Sequence, residues 1–349
     1  MSGPLPLHEV PRRSPTNVVE AIPFYAEHKL RVTPVRADEK KGRINGWSQP
    51  GHNAAPGDFR VDDNIGVLNG TEVEDGYCFY DVDIDTDHTA ARRVVEQLLP
   101  PTGWWYGRAS HQRSHANYLV KGLLRTRRYP GVEKHSGLEL RGMTQKGTHT
   151  FSVAPGSTWV SQDQTKREPI RFVEPRTAIG REDDADSFET AVQVAAVGNV
   201  IGQIWPGPST RHDLRLAFAK LLLEHGLTTE QTTTILTAVM DATGSDVRDA
   251  VDAVRSTADA MQAAQPTKGA STIFEVLGEE TARSSEGNRS DSSFRLRRRI
   301  DGHCHEERRT PQNRGRRRGR AIGPRHLPAW WWPHSSNQVG PRNPRPGER

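Results

Sequence analysis

The run Tyr77-Cys-Phe-Tyr-Asp-Val-Asp-Ile-Asp85 constrains this chain more than any other stretch. Its apolar start is built like a buried strand, and its end carries acids at alternate positions. Side chains alternate faces along a strand. Asp81, Asp83 and Asp85 therefore share one face, with Val82 and Ile84 on the other. Carboxylates this close repel one another unless something cationic lies between them. Acids at the end of a rigid strand are one way to hold divalent metal for phosphoryl transfer. A solvated acidic turn is the plainer alternative.

The rest of the chain sets the context. Its 349 residues are enough for two domains. No apolar run approaches the length of a membrane span, and the N-terminal residues lack a signal-peptide core. A cytoplasmic protein without a membrane partner is expected. The only cysteines are Cys78, inside the apolar run, and Cys304. That excludes a disulfide framework and a cysteine-rich zinc module, and leaves Cys78 as a small buried hydrophobe.

The net charge of +5 conceals a split. From Ser284 onward there are 16 Arg, no Lys and 6 acids, which leaves 32 basic against 37 acidic residues upstream. Any nucleic-acid surface on the folded part must therefore be local.

Periodicity gives an α+β organisation. Val18, Val19, Ala21, Ile22 and Tyr25 recur at helical spacing, and Leu30 to Val35 alternates like a strand. A polar loop with Lys40, Lys41 and Trp47 follows. Asn64-Ile-Gly-Val-Leu68 reads as a short strand turning at Asn69-Gly70. Beyond the acidic strand, Thr89 to Leu99 is an amphipathic helix stopped by Pro100-Pro101. Residues 104–160 are strand-rich. These segments form an expected first domain over residues 1–180. Arg181 to Asp186 reads as an acidic linker. Residues 187–278 carry helical patterns, including capping-box spacing at Thr228-Thr-Glu-Gln231, and read as a small all-α domain. Residues 279–349 are rich in Arg, Pro and Gly, lack periodicity, and read as a disordered basic tail. Two readings of the tail stand side by side. Arg and the Trp330-Trp-Trp332 run suit nucleic-acid binding, and the composition also resembles GC-rich DNA translated in a shifted frame.

An EF-hand loop starting at Asp81 is excluded, because it would need Gly and Glu where Thr86 and Arg92 stand. The order of the remaining motifs points elsewhere. Gly46-Trp47 ends a basic loop, and Asn64-Ile-Gly-Val-Leu-Asn-Gly70 precedes the strand with Asp81-Val-Asp83. Gly107-Arg-Ala-Ser-His-Gln-Arg-Ser-His115 follows, then Leu138-Glu-Leu-Arg-Gly142 and Val153-Ala-Pro-Gly-Ser157. In this order the motifs resemble those of the bifunctional primase–polymerase family of the archaeo-eukaryotic primase superfamily. Gly207-Pro-Ser-Thr-Arg-His-Asp-Leu214 and its helices resemble the accessory helical region that often follows such domains. The resemblance covers about residues 17–278.

The resemblance implies an RRM-like mixed or antiparallel sheet with helices, and two-metal nucleotidyl transfer using Mg²⁺ or Mn²⁺. Asp81, Asp83 and Glu139 would be the metal ligands; the family often has Asp at the last position, and Glu keeps the charge. His115 would contact the incoming nucleotide's phosphates, with His111 the competing assignment. Arg113, Arg141 and Ser157 would assist at the nucleotide, while Arg108 and Lys146 are nearby cations. The solvated end of a strand is the expectation for Asp85. The implied function is a DNA-directed primase/polymerase that makes or extends primers on a single-stranded DNA template from NTP or dNTP, in phage or plasmid replication. No G-x-x-x-x-G-K-[ST] loop occurs, so a separate replicative helicase is the expected partner. Two other functions stay open: a catalytically weak nucleic-acid-binding module that recruits a helicase, and a metal-dependent nuclease.

Overall fold

The structure, a computed structural model, describes residues 14–37, 41–161, 163–174, 176–206, 211–273 and 275–277. The expected tail, Lys40 and the stretch 207–210 lie outside the described residues.

The fold is α+β. Its first unit is helix α1 (Val18–Glu27) followed by strand β1 (Val32–Val35). Asn17 caps α1, its side chain accepting from the Glu20 amide, which satisfies one of the donors a helix start leaves unpaired. Val18, Ala21, Phe24 and Tyr25 are buried, whereas Val19 of the expected stripe is exposed. β1 pairs antiparallel with β2 (Asn64–Asn69), and β2 with β9 (Thr150–Val153), making a three-stranded sheet.

The larger sheet has the strand order β12-β5-β6-β4-β8-β7. Its members are β4 (Tyr77–Ile84), β5 (Trp105–Arg108), β6 (His111–Lys121), β7 (Arg127–Tyr129), β8 (Leu138–Arg141) and β12 (Arg171–Phe172). These pairings are antiparallel. β3 (Thr71–Glu74) adds to the first half of β4, and β13 (Gly180–Glu182) runs parallel to the far half of β6. A small hairpin, β10 (Thr158–Val160) with β11 (Arg167–Pro169), stands beside them.

Two sequence expectations change here. Asn69-Gly70 is not a hairpin turn: β2 and β3 belong to different sheets, and Gly70, with φ +74°, lets the chain cross from one to the other. The hairpin that presents β4 turns instead at Asp75-Gly76, where both residues have positive φ, the requirement of the tight turn such a pair favours. The expected linker is also structured. Gly180–Glu182 is a strand of the large sheet, and Asp184 caps the following helix by accepting from the Ser187 amide. The open edge on the second half of β6 is thereby paired.

One face of the large sheet is covered by α2 (Thr89–Leu98), on which α3 (Ala185–Ile204) lies. Gly198 and Gly202 permit the close approach: an added Cβ would stand 2.4 Å from the Leu98 side chain and 2.9 Å from Ala91 Cα. α4 (Arg211–Glu224), α5 (Thr229–Ala242) and α6 (Arg248–Gln262) continue the layer. The expected capping box at Thr228 and Gln231 opens α5. The apolar residues of these helices form one continuous cluster with Cys78, Tyr80, Val82 and Ile84 of β4. The opposite face of the sheet, with Tyr77, Phe79, Trp104, Tyr106 and Leu119, packs under α1, β1 and β2. No helix among the described residues is long and apolar enough to cross a membrane.

Candidate functional site

The register of the large sheet draws a row of side chains across its second face. Arg128 of β7 stands opposite Glu139 of β8, Glu139 opposite Asp83 of β4, Asp83 opposite His115 of β6, and His115 opposite Tyr106 of β5. A second row, two residues along, holds Arg141, Asp81 and Asn117. Alternation puts all of these on one face, because their neighbours Leu138, Leu140, Val82, Ile84, Ala116 and Trp105 belong to the apolar cluster on the other.

Asp81 is wholly buried. Its Oδ1 accepts from Asn117 Nδ2 at 3.0 Å, and its Oδ2 accepts from His115 Nδ1 at 2.9 Å and from the Ser152 hydroxyl. Ser152 lies on β9 of the small sheet and itself accepts from Asn69 Nδ2 at 3.0 Å. The site is thus the seam at which the two sheets are hydrogen-bonded together.

Asp83 and Glu139 meet a cation. The Arg141 guanidinium donates to Asp83 through Nη2 and to Glu139 through Nε, the latter at 3.2 Å. Glu139 also accepts from Arg128 Nε at 2.7 Å. Burial works against the charge on Arg141, but Asp83, Asp81 and Glu139 outweigh it and raise its pKa further. This resolves the repulsion implied by the sequence.

The His115 ring stacks on Tyr106, with centroids 4.5 Å apart and planes 11° from parallel. Burial by itself lowers the pKa of His115, while the carboxylates of Asp81 and Asp83 raise it, and the net shift is upward. The competing His111 sits elsewhere, beside Asp87, Arg92 and the Ile84 carbonyl. Burial, then the Arg92 charge, lowers its pKa. Of the two, His115 is the histidine brought to the acids.

The other expected residues divide. Arg113 is turned away by its positive φ of 54°, within a register shift of the β5–β6 pair. Its guanidinium pairs with Glu96 of α2 and lies 5.7 Å from the Trp105 ring centre, on the helical side of the sheet. Ser157 is buried, its hydroxyl accepting from the Ile65 amide at 2.9 Å, so it ties β2 to the chain after β9. Arg108 lies over Trp159 at 4.2 Å. Lys146 is exposed in the turn between β8 and β9, and Asp85 is exposed at the end of β4.

The donor set partly suits a metal. Asp83 and Glu139 already converge on a cation, the Arg141 guanidinium, so two of the three expected ligands fit. Asp81 has both oxygens engaged and no exposed surface. Among the described residues, no group of three or more His, Cys, Asp and Glu is arranged to hold a metal ion. Asp81, Asp83 and Glu139 thus stand as neighbours on adjoining strands, with the Arg141 guanidinium between Asp83 and Glu139.

Four residues of the site escaped the sequence reading. Tyr106 and Asn117 share a strand face with known partners, so alternation could have flagged them once the pairing was known. Arg128 and Ser152 gave no local signal, because each is defined by a partner on another strand. Compared with protein-family models and with curated proteins, the chain matches none.

Proposed function

We propose that this chain is a nucleotidyltransferase of the primase–polymerase type, extending or initiating primers on single-stranded DNA from NTP or dNTP. The observation that carries the reading is the cross-strand row Glu139–Asp83–His115, with Asp81 hydrogen-bonded to the same histidine. It combines carboxylates and a histidine on one face of an antiparallel sheet, in the order the sequence resemblance implies.

Asp83 and Glu139, with Asp81 behind them, would hold Mg²⁺ or Mn²⁺. The ion would supply charge neutralisation for the triphosphate and a lowered pKa for the attacking hydroxyl. The chain's own residues do the rest. Asp81 holds Nδ1 of His115 and leaves Nε2 as the nitrogen that can donate to a phosphate oxygen. Tyr106 fixes the plane of that ring by stacking. Arg141 offers a planar fork of donors matched to phosphate. Arg113 and Ser157, engaged elsewhere, have no part in the proposal. A separate helicase as partner, and a replication role in a phage or plasmid, belong to the same reading.

A second reading is favoured by one observation. Arg141 neutralises Asp83 and Glu139 as a metal would, which suits a nucleic-acid-binding module with weak catalysis. The test incubates the protein with single-stranded template, labelled nucleotides and Mn²⁺. Extended products that disappear in Asp81→Ala and Asp83→Ala support the polymerase. Template binding without products supports the binding module, and shortened template indicates a nuclease.

A further inference from the structure

The folded part of the chain is net acidic, but its charge is unevenly spread. Residues 97–132 contain six Lys and Arg and no acid, and residues 140–162 contain Arg141 and Lys146 and again no acid. The fold brings these two stretches together at one edge. The Thr126 amide donates to the Met143 carbonyl and the Met143 amide to the Leu124 carbonyl, and Arg125 Nη1 donates to the Thr144 carbonyl at 2.5 Å. Arg125 therefore lies against the β8–β9 turn that carries exposed Lys146.

The same edge leads into the site. β7 is the last strand of the large sheet, and its Arg128, 82% exposed, is bonded to Glu139. Neither Arg125 nor Lys146 has an acidic partner among the described residues. Leu123, 70% exposed, lies two residues before Arg125 and offers an apolar surface. Arg113 and Arg127 of the same segment are neutralised by Glu96 and Glu189 on the helical side, whereas Arg125 and Lys146 come together at this edge.

We propose that this edge, Leu123, Arg125, Arg128 and Lys146, is the track for a single-stranded nucleic acid entering the site. Cations spaced along an edge suit a phosphate backbone, and a neighbouring apolar side chain suits an unpaired base. The assignment rests on the proposed polymerase reading for its partner, while its test requires neither metal nor turnover.

The full chain is mixed with oligo(dT) in EDTA, without nucleotides, and the acetylation of each lysine is followed. Lys146 becomes protected while Lys29, on the opposite unit, does not. Arg125→Glu abolishes the protection, and Arg113→Ala, on the helical side, leaves it intact. In the Arg125→Ala/Lys146→Ala double variant, the slope of log affinity against log salt shrinks by about 1.4, as expected for two lost single-strand phosphate contacts. Unprotected Lys146, protection that survives Arg125→Glu, or an unchanged slope overturns the proposal. Protection by oligo(dT) in a protein that makes no product supports this track and sinks the polymerase reading alone.

Discussion

On one face of β4, Cys78, Tyr80, Val82 and Ile84 pack against α2, α3 and the helices beyond. On the other face of the same strand, Asp81 and Asp83 are covered by the small sheet and held by His115, Asn117, Ser152 and Arg141. Both faces are buried, and they reach that state by opposite means. Apolar contact is non-directional and scales with area. Buried carboxylates persist only with partners at hydrogen-bond distance. The helical face can therefore accept other hydrophobic shapes of similar volume, whereas the acidic face depends on individual atoms from four strands.

This contrast makes separable demands on substitutions. Asp83→Ala is expected to lower primer synthesis at least 100-fold, the scale of losing one preorganised charge-stabilising group, about 10²–10³, while the protein still folds. Unchanged synthesis would remove Asp83 from the chemistry. Leu140→Ala, one residue from Glu139 but facing the helices, is expected to cost about 2–5 kcal/mol of stability through cavity formation, with per-molecule activity kept below its melting temperature. Chemical denaturation reads the first and a synthesis assay the second.

Arg141→Met is expected to destabilise by about 3 kcal/mol, because it removes the guanidinium shared by Asp83 and Glu139 and leaves Arg128, on Glu139 alone, as the remaining arginine contact. Mn²⁺ should restore more of the melting temperature in this variant than it adds to the wild type, since an ion bound only by the folded form stabilises it. Equal shifts in the two proteins would argue against a metal at these carboxylates. Ser152→Ala removes one donor to Asp81 and loosens the seam between the sheets. A loss of about 1 kcal/mol is expected, with Ser152→Thr retaining most of it.

The two histidines give the smallest effect and opposite signs. The pKa of His115 is raised on folding, so its contribution is full below about pH 6.5, the unfolded value, and fades as pH rises through the folded value. The pKa of His111 is lowered, so stability is lost as pH falls from about 6.5 through its folded value. Melting curves of His115→Gln and His111→Gln against wild type, taken across this range, separate the two. Differences that move the same way with pH would contradict the assigned surroundings.

Several elements were legible without coordinates. The helix α1, the strand β4, the helix α2 with its proline stop, and the capping box of α5 all rest on short-range periodicity and local hydrogen bonding, which a single segment carries in itself. The alternation along β4 also put Asp81 and Asp83 on a common face. Asn69-Gly70 shows where that reasoning ends. The dipeptide signals a change of direction, but whether the chain turns into a hairpin or passes to another sheet depends on which strands are free to pair.

The sequence by itself determined the acidic strand, its two faces and the candidates His115 and Glu139. Only the tertiary structure decided that Glu139, Asp83, His115 and Tyr106 form one row, that Arg141 sits between the acids, and that Arg113 points to the helices. The reason is the range of the interactions. Alternation is fixed by the backbone of one strand, while the register of β4 with β8 and the sheet seam at Ser152, 71 residues from Asp81, are set by pairing between distant segments, which no local pattern encodes.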